Sequence, residues 1–330
     1  MTRNFQTELF YYEEAFTENQ INQVKLPEQF FISEEIRFPI LLARLFLGNI
    51  GIRYSSEKLI KVDTDVFSKF PFESSQDFHK NKKTNLKTII KDLSFEEEEI
   101  LKSLTVHSVK NKDLYKDLVF EISCYLYYSS KGSYTTAFLH LYRCYEYISY
   151  SFPLTYIQGQ NSFQGSYDEL QSFFGGNNGG ELKFFQKFIL DSFLENNYFS
   201  DSIYLNKIEI NFLQSDFTKI QSIWKPTFQI TNDSNKKVYK KFLKDNSLPS
   251  KDIFFEFNQN NSSLEIDVLL FHDFFITVRN KSFHYLSGRP NKMQFNNMLF
   301  DTFFEYINPH IYNWIANIYK HILYGTFNKQ

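Results

Sequence analysis

The stretch VRNKSFHY, Val278 to Tyr285, sets an arginine, an asparagine and a histidine within a few positions of one another. Arginine stays charged and presents a planar fork that fits phosphate oxygens. Histidine has an unperturbed pKa near ~6.5, so it can take or give a proton at neutral pH. Asn280 stands one helical turn before His284, where its amide could fix the tautomer and direction of the imidazole. These types suit acid–base work beside an anionic group such as a phosphate, one residue moving the proton and another relieving charge.

The element that must position them is predicted as a long helix starting at Leu264. At about 100° per residue, Leu264, Val268, Phe271, Phe275 and Val278 share one seam toward the core. Asp273, Thr277, Asn280 and His284 form a polar strip roughly opposite. Arg279 points about 140° away from His284, so its long side chain must curl back to join it. Leu269, Ile276 and Phe283 flank the strip. A helix apolar almost all round is buried on more than one side, which places the strip in a groove or at a subunit interface.

Arg279-Asn280, three intervening residues and His284 resemble the Arg-polar-x(3–5)-His signature of the HEPN superfamily. Those are helical-bundle proteins, many of them metal-independent ribonucleases of toxin–antitoxin, abortive-infection and CRISPR systems. The resemblance implies a mainly α fold, an antiparallel bundle of four or more helices. It also implies a homodimer whose two motifs face one cleft, no cofactor or metal, and cuts that leave a cyclic phosphate and a 5′ hydroxyl. In those terms His284 is the general acid/base, Arg279 the phosphate clamp and Asn280 the orienting group. LYRCYEYI, on an earlier helix, also resembles HEPN members in which an acidic residue supports the active site, and Glu146 holds that position. Bland readings stand beside these: His284 as a half-buried histidine, Arg279 as a surface ion-pair partner, Glu146 bridged to Arg143 one turn away.

The bulk composition sets bounds. The chain has 330 residues, 42% hydrophobic and 19% aromatic, enough for a sizeable core. A net charge of −2 supplies no global basic field for nucleic acid, so RNA contact must come from a local patch. Cys124 and Cys144 fall inside apolar helical patterns and make no disulfide framework, which points to a reducing compartment. The first residues carry acids where a signal peptide needs an apolar run, and FPILLARLFLGNIGI is broken by Arg44 and too short to span a bilayer. A cytoplasmic protein without membrane contact is expected.

Along the chain, residues 1–110 are expected to form an additional N-terminal helical region, serving as sensor, partner-binding element or scaffold. EEIRFPILLARLFLGNI reads as a helix around its proline, and GIRYSSEKLIKVDTDVF as holding a short strand. Ser94 and Glu97 make a capping box before an acidic first turn. The HEPN-like bundle is expected over residues 111–330. DLYKDLVFEISCYLYYSS and YTTAFLHLYRCYEYISYSF read as two helices joined at KGS into an antiparallel hairpin, the second closed by Pro153. SYDELQSFFGG reads as a short capped helix, and GGNNGG as a linker that lacks the Lys-Ser/Thr of a phosphate loop. ELKFFQKFILDSFLEN and KIEINFLQSDFTKIQSIW read as further helices. Residues 226–263, polar and rich in Asn and Lys, read as an insertion. A last helix is predicted from about Gln294 to Leu323, through Pro309.

Two rival functions follow from the same residues. His272-Asp273 resembles the HD phosphohydrolases, with His79, His107 and His140 as further metal ligands, though no spacing ties them together. The other rival is a catalytically inactive HEPN-like protein that binds RNA or a partner. For the nuclease itself, the expected partners are RNA, a second copy, and an antitoxin or defence-system protein.

Overall fold

A computed structural model describes residues 4–15, 31–48, 50–62, 111–158, 183–190, 207–245, 255–283 and 297–327. The described protein is mainly helical, with two small antiparallel sheets. The chain divides into two compact units. The first groups the N-terminal sheet with the helical hairpin and the end of the last helix; the second runs from residue 177 to residue 311.

In the first unit, β1 (Asn4–Gln6), β2 (Phe10–Glu14), β3 (Ile50–Tyr54) and β4 (Ile60–Val62) form one antiparallel sheet in that order. Among its described residues, the N-terminal region therefore holds a four-stranded sheet beside one helix, where only a short strand was expected. Phe10 and Tyr12 alternate with less buried neighbours, and aromatic residues at a period of two favour a half-buried strand over a helix. The short strand read in GIRYSSEKLIKVDTDVF is two, β3 and β4.

Helix α1 (Phe38–Leu47) forms around its proline as expected. Pro39 sits in the first turn, where its missing N–H costs nothing, and Gly48 ends the helix at φ 73°. Arg44, fully buried on α1, makes two 2.9 Å hydrogen bonds to the Glu14 carboxylate of β2, which also accepts from the Ile32 N–H.

The two helices of the hairpin are α2 (Lys112–Ser130) and α3 (Tyr134–Gln158), turning at Gly132 with φ 70°. Ala137, Phe138, Leu141, Cys144, Tyr145 and Ile148 are buried, the stripe that the 3.6-residue period predicts. Pro153 does not close α3, which continues to Gln158. Burial of Phe152 and Ile157 on the final turns outweighs the hydrogen bond that proline forfeits. Residues 312–319 of the last helix complete this core: the Tyr312 hydroxyl donates to the Leu45 carbonyl at 2.7 Å, and Trp314 Nε1 to the Tyr145 hydroxyl at 3.4 Å.

The second unit contains α4 (Lys183–Phe188), β5 (Lys207–Asn211), α5 (Gln214–Asp245), β6 (Phe255–Asn258), β7 (Ser263–Asp267), α6 (Phe271–Phe283) and the first half of α7 (Asn297–Phe327). Its sheet has the order β5-β7-β6. Three expectations change here. KIEIN is a strand, with Ile208 and Ile210 buried at a period of two. The helix expected from Leu264 begins at Phe271, after β7 and a 3₁₀ turn capped by Asp267, whose carboxylate accepts from Leu269 N–H at 3.1 Å. The polar stretch from Pro226 is no insertion, because α5 runs through Pro226 to Asp245, anchored by buried Trp224, Phe228, Tyr239 and Leu243. Trp224 stacks on Phe303 of α7 at 4.5 Å.

The helix start at Ser94, the short helix from Ser166, the GGNNGG linker, His79, His107 and His284 lie outside the described residues. Among the described residues no helix is long and apolar enough to cross a membrane.

Candidate functional site

Helix α6 carries the motif. Phe271, Phe274, Phe275 and Val278 face the core, and the opposite strip stays half-buried at Asp273, Thr277 and Asn280. Arg279 is also half-buried, and its Nη1 donates to Asn280 Oδ1 at 3.0 Å. This contact fixes the amide with its oxygen on the guanidinium and its Nδ2 hydrogens as the remaining donors. Arg279 and Asn280 are thus joined on the final turn of α6, with His284 following the last described residue of that helix.

The strip is tied to neighbouring elements by polar contacts. Thr277 Oγ1 lies 3.3 Å from Thr231 Oγ1 of α5. Nearer the start of α6, Asp273 accepts from the Tyr239 hydroxyl of α5 and from Gln186 Nε2 of α4, at 3.0 and 2.9 Å to its two oxygens. Gln186 Nε2 also lies 2.9 Å from the Tyr239 hydroxyl. Both donors are neutral. Burial therefore dominates and pushes the Asp273 carboxyl up to about 6, against the opposing pull of the two hydrogen bonds. A carboxyl poised there changes charge close to neutral pH, the range in which proton-transfer groups work.

Asp273 escaped sequence reasoning as part of the site because its partners lie 34 and 87 residues away. Its place on the polar strip was the only signal.

His272, next to it, does something different. Its buried ring packs edge-on against Phe185 at 5.9 Å, and burial pushes its pKa down to about 3, so it is a neutral core residue. Among the described residues no three His, Cys, Asp or Glu side chains converge as a metal site. Of the further ligands that a metal reading would use, His79 and His107 lie outside the described residues.

Glu146 belongs to the first unit, half-buried on α3, whereas Arg279 and Asn280 belong to the second. On α3 the neighbouring polar groups turn to α2. His140 Nδ1 lies 2.6 Å from Glu121 Oε2, with the Tyr128 ring stacked on the imidazole at 5.2 Å and 7°. Arg143 Nη1 lies 3.9 Å from the other oxygen of Glu121. Cys124 and Cys144 are free and buried, and burial pushes both thiols up, Cys124 to about 12, so neither is an activated nucleophile.

No family model matches the chain, and no curated protein or solved structure matches it.

Proposed function

We propose that the protein is a metal-independent endoribonuclease of the HEPN type, acting in bacterial defence or growth arrest through a site shared by two copies. The observation that carries this reading is the Arg279–Asn280 contact at 3.0 Å on a half-buried strip, one helical turn before His284 in the sequence. It supports a reading in which a permanent cation and an orienting amide serve a histidine acid/base.

In this mechanism one His284 takes the 2′ proton, and the 2′ oxygen attacks the adjacent phosphorus. The bond from phosphorus to the 5′ oxygen breaks, and that oxygen takes a proton from the second copy's His284. The products are a 2′,3′-cyclic phosphate and a 5′ hydroxyl. Arg279 offsets the charge gathering on the phosphate oxygens, and the Asn280 amide directs the imidazole. Glu146 is the acidic support that the HEPN resemblance implies. Asp273, on the same helix face as Asn280, is a second carboxylate for that role.

Expression of wild type beside His284→Ala tests the reading, with growth and RNA 3′-end chemistry followed with and without a chelator. The expected result is toxicity lost in the variant, and wild-type cuts bearing cyclic phosphates that the chelator does not alter. An unchanged cellular effect in His284→Ala would leave an inactive RNA- or partner-binding protein. Sensitivity to the chelator would favour a metal hydrolase.

A further inference from the structure

Helix α3 exposes an unusual face. Among its described residues, those that are well exposed are Leu139, Arg143, Tyr147, Tyr150 and Leu154. At 100° per residue they fall within one narrow stripe, about 80° wide. Four of the five are large and hydrophobic, exposed by 38%, 40%, 55% and 43% at Leu139, Tyr147, Tyr150 and Leu154. The solvent face of a helix ordinarily carries charged and small polar residues, and a contiguous apolar stripe marks a contact surface. Here Ala137, Phe138, Leu141, Cys144, Tyr145 and Ile148 of α3 are already buried in the core, so the stripe is a second apolar face.

The order of residues along the stripe indicates what covers it. Leu139, Arg143, Tyr147, Tyr150 and Leu154 read nearly the same in both directions, with Tyr147 at the centre and a leucine at each end. Two such helices related by a two-fold axis at Tyr147 run antiparallel. Leu139 then meets Leu154 of the second copy, and Arg143 meets Tyr150 of the second copy. Each pairing occurs twice, as an isologous interface requires. The guanidinium of Arg143, 60% exposed, would lie over a tyrosine ring, a favourable cation–π pairing. A parallel pairing would set Arg143 against Arg143, so charge selects the antiparallel arrangement.

We infer that the exposed stripe of α3 is a self-pairing surface that joins two copies of this chain, antiparallel, about an axis at Tyr147. The surface belongs to the first unit and shares no residue with the Arg279 motif. It does not depend on the nuclease reading. The contact seam spans about 22 Å of helix, so the pairing is dynamic and depends on concentration.

The test is mass measurement across protein concentration, combined with cysteine cross-linking that reads the register. Wild type should shift from the 39.5 kDa of one chain toward twice that mass as concentration rises. Tyr147→Glu, which sets two carboxylates together at the axis, should remain at one chain mass. Under a mild thiol oxidant, Tyr147→Cys should form a linked dimer, because its thiols meet at the axis. Leu139→Cys alone should not, whereas the double variant Leu139→Cys/Leu154→Cys should. The native Cys124 and Cys144 are buried and silent in this assay. All of these substitutions are at exposed positions, and circular dichroism confirms the fold of each variant.

A wild type that stays at one chain mass, a dimer indifferent to Tyr147→Glu, or efficient self-linking at Leu139→Cys but not at Tyr147→Cys would overturn the inference. A dimer that follows this pattern but cleaves no RNA would overturn the nuclease reading alone. A monomer that cleaves RNA would overturn the surface and the shared site, and leave the motif chemistry standing.

Discussion

Replacing Asp273 by asparagine keeps the shape of the side chain and removes its proton site. In the folded protein burial holds the carboxyl up to about 6, against 3.8 for an unhindered aspartate, and its hydrogen-bond donors among the described residues are neutral. A carboxyl with a raised folded pKa binds its proton more tightly folded than unfolded. Its favourable contribution is complete below 3.8 and is lost as pH rises through about 6. At 1.36 kcal/mol per unit, the ionised group at pH 7 costs the fold about 3 kcal/mol relative to its protonated form, discounted to about 2 for partial solvent access. The Asp273→Asn variant carries no such penalty and still offers an oxygen to Tyr239 and Gln186. Urea unfolding of both proteins, from pH 7.5 down to pH 4 (a range chosen to span the titration), reads the difference in stability. The variant should be the more stable at the upper end, with an advantage that shrinks by about 2 kcal/mol toward the lower end. A difference that stays flat across that range would refute the claim that burial among neutral donors sets this carboxyl.

Other consequences concern the scaffold. His272 and His310 are buried neutral, with pKa values pushed down to about 3 and about 4, so each opposes folding as pH falls below its unfolded value near ~6.5. His272→Leu should therefore lessen acid lability by up to about 1.4 kcal/mol per pH unit between pH 6 and pH 4, read by the same titration. Glu14→Ala leaves the Arg44 guanidinium buried without its carboxylate and should cost about 3–5 kcal/mol in denaturant unfolding. Trp224→Ala removes the ring stacked on Phe303 and should cost about 3–5 kcal/mol, lowering the melting temperature measured by calorimetry.

The long helices were legible because a 3.6-residue apolar period repeats over many turns, as it does from Tyr134 to Ile148. The strands were not. KIEIN and SLEID are each five residues long, and next to longer apolar runs an alternation that short fits a helix as well as a strand. Pro153 and Pro226 misled for another reason: both read locally as stops, while buried residues beyond them hold the helix together. At the site, Arg279 and Asn280 stood out by type and spacing. The Tyr239–Gln186–Asp273 network could not be read, because only the tertiary fold gathers α4, α5 and α6 at one carboxyl. The exposed stripe of α3 was not legible, because only the burial of its other residues separates it from core.

The central claim is that the His284 imidazole and the Arg279 guanidinium act on one phosphate. Purified wild type, His284→Ala and Arg279→Ala, incubated with RNA in chelator, test it most directly through the rate of cyclic-phosphate formation. Loss of acid/base catalysis should slow His284→Ala by about 100- to 10,000-fold, with a comparable loss in Arg279→Ala and melting curves unchanged. Equal rates in all three proteins, or no cyclic phosphate from wild type at any concentration that pairs it, would contradict the account.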